Sequence, residues 1–535
     1  MIVSRQSFTR RGFLRAGTLT GAAIGGGLIA RPALVRAESA LPKLTHGLQS
    51  GDVGTDSAML WARADRPARM LVDLSTTESF ANVRTIRGPA MLEDSDFTGK
   101  LLVGDLPAGQ RMFYRVRLQS LDDVTLEGEP AVGSFATASA GAEDVSFVWS
   151  GDTAGQGWGI NLDWGGMRIY QTMHGLEPDF FLHCGDTIYA DNAIAAEVAL
   201  PDGSLWTNLV TEEVAKVAET LAEFRGRYQY NLMDANVRAF NARVPIIAQW
   251  DDHETTNNWY PNEVLADERY AVSSVGLLAA RANKAFLEYM PIAQYPDESE
   301  RIYRTIRRGP LMDLFVIDMR SYRADNSAND QPEPGPETEF LGRAQINWLK
   351  RQLLLSNATW KVIASDMPIG MIVRDGDSHF ENLANGNGAP MGREHEIVEL
   401  LRFIRDSAIE NVVWLTADVH YTAAHYYDPN RAQFQDFTPF WEFVSGPLNA
   451  GTFGPSEMDD TFGPQVMFSR HPSAEQGLNL PPSAGLQFFG HVHIDAASEV
   501  MTVMLKDLEG SELYAVELEP QRGRAVPVWR QASAG

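Results

Sequence analysis

The chain has 535 residues, 44% of them hydrophobic, a formal net charge of −25 at pH 7 and one cysteine, Cys184. That length can bury a large core and exceeds one ordinary domain, so two folded units are expected. An acidic balance of this size repels nucleic acid and anionic membrane surfaces, and a lone cysteine excludes an internal disulfide framework.

In chain order, the first segment reads as an export signal. Basic residues run to Arg15, an apolar run of small residues spans 16–30, and Val35-Arg36-Ala37 offers a small-x-Ala cleavage site. Within the basic part, Thr9-Arg10-Arg11-Gly12-Phe13-Leu14 matches the twin-arginine pattern. This predicts passage through the twin-arginine translocase to a periplasmic or secreted location. Residues 1–37 are therefore assigned to a signal peptide, whose loss removes six basic and no acidic residues and takes the net charge from −25 to −31. The glycine-rich apolar run falls short of the roughly 20 residues a spanning helix needs, and no later segment approaches that length, so no transmembrane segment is expected in the mature chain.

Residues 38–140 carry short alternating runs, Ser57–Arg63, Met70–Leu74 and Met112–Leu118, broken by turn signals such as Leu106-Pro107-Ala108-Gly109. The pattern predicts a small N-terminal β-sandwich. Residues 138–142 look like a linker. From 141 to 520 the texture becomes α/β, with apolar strands at 145–149, 180–183, 244–248, 311–317, 360–364 and 412–415. Helical patterns cover Glu212–Tyr230, Leu277–Tyr289, Gly342–Leu355 and Arg393–Arg405, and residues 521–535 form a tail. Irregular loops at 190–210, 324–340 and 375–392 are expected to set specificity.

Nearly every α/β strand runs into a polar cluster at its C-terminal end, where open α/β sheets place their ligands. The clusters are Ser150-Gly151-Asp152, Gly185-Asp186 with Tyr189 and Asp191, Trp250-Asp251-Asp252-His253-Glu254, Ser365-Asp366 and Asp418-Val419-His420. A single aspartate after a strand is commonly a helix cap. Five along one edge repel one another unless cations neutralise them, so the set implies metal. Oxygen ligands with one or two imidazoles suit Ca²⁺, Mg²⁺, Mn²⁺ or ferric iron. Two such ions bridged by one carboxylate can polarise a phosphoryl oxygen and hold a hydroxide aimed at phosphorus. His253, beside Asp252, is placed to protonate the leaving alkoxide. Arg320 and Arg323 read either as a grip on substrate phosphate or as an ion pair, Glu254 as the orienter of His253 or of a loop amide, and Cys184 as core packing.

The order Gly-Asp, Gly-Asp-x-x-Tyr, Asp-His-Glu, a ligand two residues before Pro, and ligand-x-His resembles the calcineurin-like and purple acid phosphatase fold. The wording resembles the alkaline phosphatase D family, through His46–Trp61, Gly185-Asp186-Thr187-Ile188-Tyr189, Trp250–Glu254 with Asn257-Asn258-Trp259, and Asp318–Arg323. That resemblance implies a β-sandwich with flanking helices (αββα) behind the N-terminal domain. It implies one metal, typically Fe³⁺, on Asp152, Asp186, Tyr189 and either His420 or Asp418. Asp186 would bridge to a second, Ca²⁺-like ion completed by Asp252, Asp366 and the remaining member of the 418/420 pair. At Asp152 the best-known members carry Cys, which leaves the first metal's identity open. Gly490-His491-Val492-His493 spells the Gly-His-x-His ending more literally, but it lies in an alternating β pattern, whereas 412–415 is an apolar strand of the kind that ends at an α/β site.

The expected function is hydrolysis of small phosphate mono- and diesters at a two-metal site with catalytic His253, Asp186 and Arg320. Competing readings are a phospholipase D-type phosphodiesterase on lipid headgroups and a non-catalytic binding protein. The absence of a long apolar or basic interfacial stretch disfavours the first, and a complete set of mutually repelling carboxylates disfavours the second.

Overall fold

The computed structural model describes residues 41–522. The expected signal peptide at 1–37 and the tail from 523 onward lie outside the described residues.

Strands Val145–Ser150, Phe180–Cys184 and Ile246–Gln249 run parallel, with Phe147 opposite Phe180 and Ile246 opposite Phe181. They form the centre of a nine-stranded sheet. A second sheet of seven strands has the parallel set Met312–Val316, Trp360–Ala364, Val412–Thr416 and Phe440–Val444 at its centre. These strands are mostly apolar because both of their faces are covered, with Asp313, Lys361 and Glu442 as charged exceptions. Their period of two sorts the faces. Phe180 and Leu182 point into the core between the sheets, where they meet Leu314, Val316, Val362 and Leu415. Phe181 points outward, against Phe224 and Phe286 from helices Leu221–Asn231 and Val275–Tyr289. On the second sheet, Phe315 and Ile363 likewise point outward, against Ile346, Leu349 and Leu401 from helices Arg343–Leu355 and Glu394–Asp406. The result is the αββα sandwich expected from the motif order.

One helix is shorter than its sequence pattern. The periodicity over 212–230 yields a helix only from Leu221, because Thr220 and Glu223 close a capping box there. The Glu223 carboxylate accepts the Thr220 amide at 2.8 Å, and the Thr220 hydroxyl accepts the Glu223 amide at 3.3 Å. Two orphan donors are thereby satisfied and the helix starts at that point. Upstream, the Glu219 carboxylate accepts the amides of Ala271 and Val272 instead of facing a helical turn.

Near the N-terminus, strands Leu44–Gly51, Ala58–Ala64 and Thr98–Val103 face a four-stranded sheet, Ala68–Ser75, Arg84–Met91, Arg111–Ser120 and Ala131–Ala136. A core of Leu60, Met70, Val72, Tyr114 and Val116 lies between the two layers. The first three strands also extend the nine-stranded sheet, because Gly51 pairs parallel with Ile246. Covering an otherwise open sheet edge in this way removes a row of unpaired backbone groups. The described residues from Pro42 onward form one compact unit.

Candidate metal centre

The parallel strands of both sheets deliver Asp152, Asp186, Asp251, Asp252, Asp366 and Asp418 just past their C-terminal ends. The turns are abrupt. Asp152, Asp186, Asp418 and His420 all have left-handed backbone, with φ of 67°, 51°, 70° and 60°. Such conformations cost non-glycine residues roughly 1 kcal/mol or more each, and they persist where surrounding packing enforces them, as at functional sites.

Ligand-type atoms of Asp152, Asp186 and His420 lie within 4.8 Å of one another, as do those of Asp186, Asp252 and His253, and those of Asp251, Asp252 and Asp418. Asp186 and Asp252 thus each belong to two groups. Burial pushes the carboxyls of Asp152, Asp186, Asp366 and Asp418 well above the usual range, and neighbouring carboxylates push them further, Asp252 acting on Asp186 and Asp251 on the other three. Burial would also raise Asp252, but His253 and Arg320 hold it below the usual range. Both oxygens of Asp152 and of Asp366, Asp186 Oδ2 and Asp252 Oδ1 are buried without a hydrogen-bond partner. Buried, unpaired, mutually repelling oxygens form a donor set that hard cations fit.

His420 completes the first group. Its Nδ1 donates to the Gly451 carbonyl, which leaves Nε2 as the acceptor, 2.7 Å from the Tyr189 hydroxyl. Burial lowers its pKa to about 4, so the ring is neutral, as a metal ligand must be. Tyr189 is 1% exposed, and its ring fits only because residue 155 is glycine: a Cβ there would lie 2.4 Å from the ring. A Cβ at Gly446 would sit 2.0 Å from Asp152 Oδ2, so that position also keeps space at the cluster.

His253 lies against the Tyr189 ring, centroid to centroid 4.3 Å. Its Nδ1 is 2.7 Å from Asp191 Oδ1 and its Nε2 is 4.0 Å from Asp252 Oδ2. Burial alone would lower its pKa, but Asp191 and Asp252 raise it to about 10. Glu254 does hold loop amides: its Oε1 accepts the Thr187 N–H at 2.6 Å and its Oε2 the Asp251 N–H at 2.8 Å.

Arg320 has 0% exposure. Its guanidinium lies 2.5 Å from Asp251 and 2.5 Å from Glu381, with Asp366 at 3.5 Å and Asp252 at 3.9 Å. The ion-pair reading therefore describes this arginine, and it does not line the open pocket. Arg323 is buried too, donating to Asn326 Oδ1 at 2.7 Å and to the Glu381 carbonyl. Cys184 packs in the core between the sheets. His491 and His493 sit on strand Phe488–Ile494, opposite Val148 and Ser146, and so lead away from the end of the strand that delivers Asp152. His491 Nε2 pairs with Ser146 Oγ at 2.9 Å.

Sequence reasoning named Asp191 and Asp251 among the strand-end clusters without giving them a role, and did not name Glu381. Asp251 carried a signal, as the first aspartate of the Trp-Asp-Asp-His-Glu run. Glu381 had no signal of its own, although it lies in the 375–392 loop expected to set specificity. A cleft of about 360 Å³ opens over the cluster, lined by Asp252, His253, Glu381, Asp418 and His420 and walled by Ile372, Arg374 and Phe453.

An αββα sandwich with such a cluster at its strand ends has the architecture of the calcineurin-like and purple acid phosphatase fold. A family model for PhoD-like phosphatases matches residues 147–505, and one for the N-terminal domain of PhoD-like phosphatases matches 29–139. The chain belongs to the PhoD-like phosphatase family. It is similar to alkaline phosphatase D of Bacillus subtilis (strain 168), at 30% identity over 306 residues, 55% of this chain and 50% of the relative. The match thus spans about half the length of that relative. Among solved structures, PhoD superposes with a TM-score of 0.65 at 20% identity, covering 89% of this chain and 88% of the other. A purple acid phosphatase from yellow lupin (Lupinus luteus) seeds superposes with a TM-score of 0.55 at 10% identity, covering 90% and 75%. Both likenesses are of fold.

Proposed function

We propose that this chain hydrolyses phosphate mono- and diesters as a metal-dependent phosphatase and phosphodiesterase, exported by way of the signal in residues 1–37. The observation that carries the reading is the buried set of unpaired carboxylate oxygens, with Asp186 and Asp252 each shared between two ligand groups. Asp152, Asp186, Tyr189 and His420 would hold one ion, and Asp186, Asp252, Asp366 and Asp418 a second, with Fe³⁺ and Ca²⁺ as the proposed pair. Bound there, the ions supply Lewis-acid charge for phosphoryl transfer to water.

The protein's own groups do the rest. Asp191 fixes the His253 ring through Nδ1, which leaves Nε2 facing the cluster with a proton for the departing alkoxide. Arg320 acts from beneath, holding Asp251 and Glu381 together against their mutual repulsion. Export is compatible with the described residues, among which no helix is long and apolar enough to cross a membrane.

The test is elemental analysis of the purified protein alongside aryl phosphate monoester and diester assays before and after chelation. Metal loss should abolish both activities and lower Tm, because ions that bind only the native state stabilise it. Full turnover in protein shown to be metal-free refutes the proposal.

A further inference from the structure

Of the charged side chains lining the cleft, Asp252 and Asp418 are accounted for as proposed metal ligands and Glu381 by its pair with Arg320. Among the described residues lining the cleft, Arg374 is the only lysine or arginine. No ion pair joins it to the carboxylates of the cluster. Its nearest acidic partner is Glu457 at 3.9 Å, with the two side chains 55% and 66% exposed, a pair that solvent screens to little net value. The guanidinium fork is therefore held by no strong partner.

It is nevertheless held in place. Arg374 begins a two-strand turn, Arg374–Asp375 against His379–Phe380, and its guanidinium stacks 5.1 Å above the Phe380 ring. The neighbouring Asp375 carboxylate accepts Asn326 Nδ2 at 2.9 Å and Asn258 Nδ2 at 3.4 Å. Asn258 is the residue whose backbone N–H donates to Asp252 Oδ2 at 2.6 Å. The turn that carries Arg374 is thus tied, through one asparagine, to a carboxylate of the cluster. Arg374 lines the same cleft as Asp252 and Asp418, with apolar Ile372 and Phe453 also on the wall. The cleft, about 360 Å³, falls in the size range of sites for whole small molecules and exceeds what a phosphoryl group alone fills.

We propose that Arg374 recognises a second anionic group on the leaving-group side of the ester, so that the preferred substrates carry a carboxylate or a further phosphate beyond the scissile one. This rests on the phosphoesterase reading above and adds a substrate class to it. The planar fork suits a bidentate grip on either anion, while the scissile phosphoryl group would sit at the metal centre beside His253.

The experiment is steady-state kinetics of the metal-loaded full chain on phenyl phosphate and 4-carboxyphenyl phosphate, with wild type, Arg374→Ala and Arg374→Lys. A partly screened charge pair is worth at most about fivefold in binding, so Arg374→Ala should raise KM for the carboxylated ester by about three- to fivefold and leave its kcat within about twofold. The KM for phenyl phosphate should stay within about twofold, and Arg374→Lys should restore part of the loss, since it keeps the charge without the fork. Equal changes on the two esters, or none on either, overturn the assignment of Arg374 alone. Hydrolysis of neither ester by the metal-loaded wild type overturns the phosphoesterase reading and this inference with it.

Discussion

Arg320 offers a sharp test of how the cluster is held together. Replacing it by methionine keeps much of the side-chain volume and deletes the charge that faces Asp251 and Glu381 at 2.5 Å, Asp366 at 3.5 Å and Asp252 at 3.9 Å. Removing one partner from a buried pair costs about 3–5 kcal/mol, because the other charge is left buried and uncompensated. At about 2.1 cal/mol/K per residue, the described residues, 41–522, give an unfolding entropy of roughly 1 kcal/mol/K. The expected loss of Tm is therefore about 3–5 °C, read by differential scanning calorimetry at fixed metal concentration. Arg343→Met is the control. It breaks a 2.6 Å pair with Glu399 whose side chains are 58% and 34% exposed, and such pairs are worth about 1 kcal/mol at most, or about 1 °C here. An Arg320→Met protein with unchanged Tm and a raised KM would refute the reasoning and return Arg320 to a substrate-gripping role.

Other outcomes follow from the same geometry. His253→Ala should slow esters with poor leaving groups by about 10²–10⁴-fold, spare activated aryl esters, and leave metal content unchanged; equal losses on both would assign the ring to structure. His420→Ala should lose metal and nearly all turnover, whereas His493→Ala, on a strand leading away from the cluster, should keep most of both, as checked by elemental analysis beside the assay. Burial and Asp459 push the Glu394 carboxyl from 4.5 up to about 9. The folded chain then keeps a proton that the unfolded chain releases, so stability falls as pH rises from about 4.5 towards 9. Glu394→Gln should flatten that slope in urea unfolding followed across pH, and a slope unchanged by the substitution would show that another group titrates.

What the sequence by itself determined is the set of apolar strands ending in aspartates. A strand covered on both faces is mostly apolar, and its polar terminus stands out against that run, as with Val145–Trp149 before Asp152 and Val412–Leu415 before Asp418. From those runs the α/β texture and the metal-type character of the cluster could be read, while the αββα arrangement was implied by the family resemblance that the motifs carry. Helix limits were less legible: the period over 212–230 continues through Thr220, and only the capping box formed with Glu223 shows where the helix starts. The partners of each charge were not legible at all. Nothing in the local sequence shows that Arg320 turns inward to Glu381, 61 positions away, or that Asp191 meets His253 across 62. Such pairs depend on which loops the two sheets bring together, and the tertiary structure alone decided that Arg320 spends its charge on carboxylates while Arg374 faces the cleft.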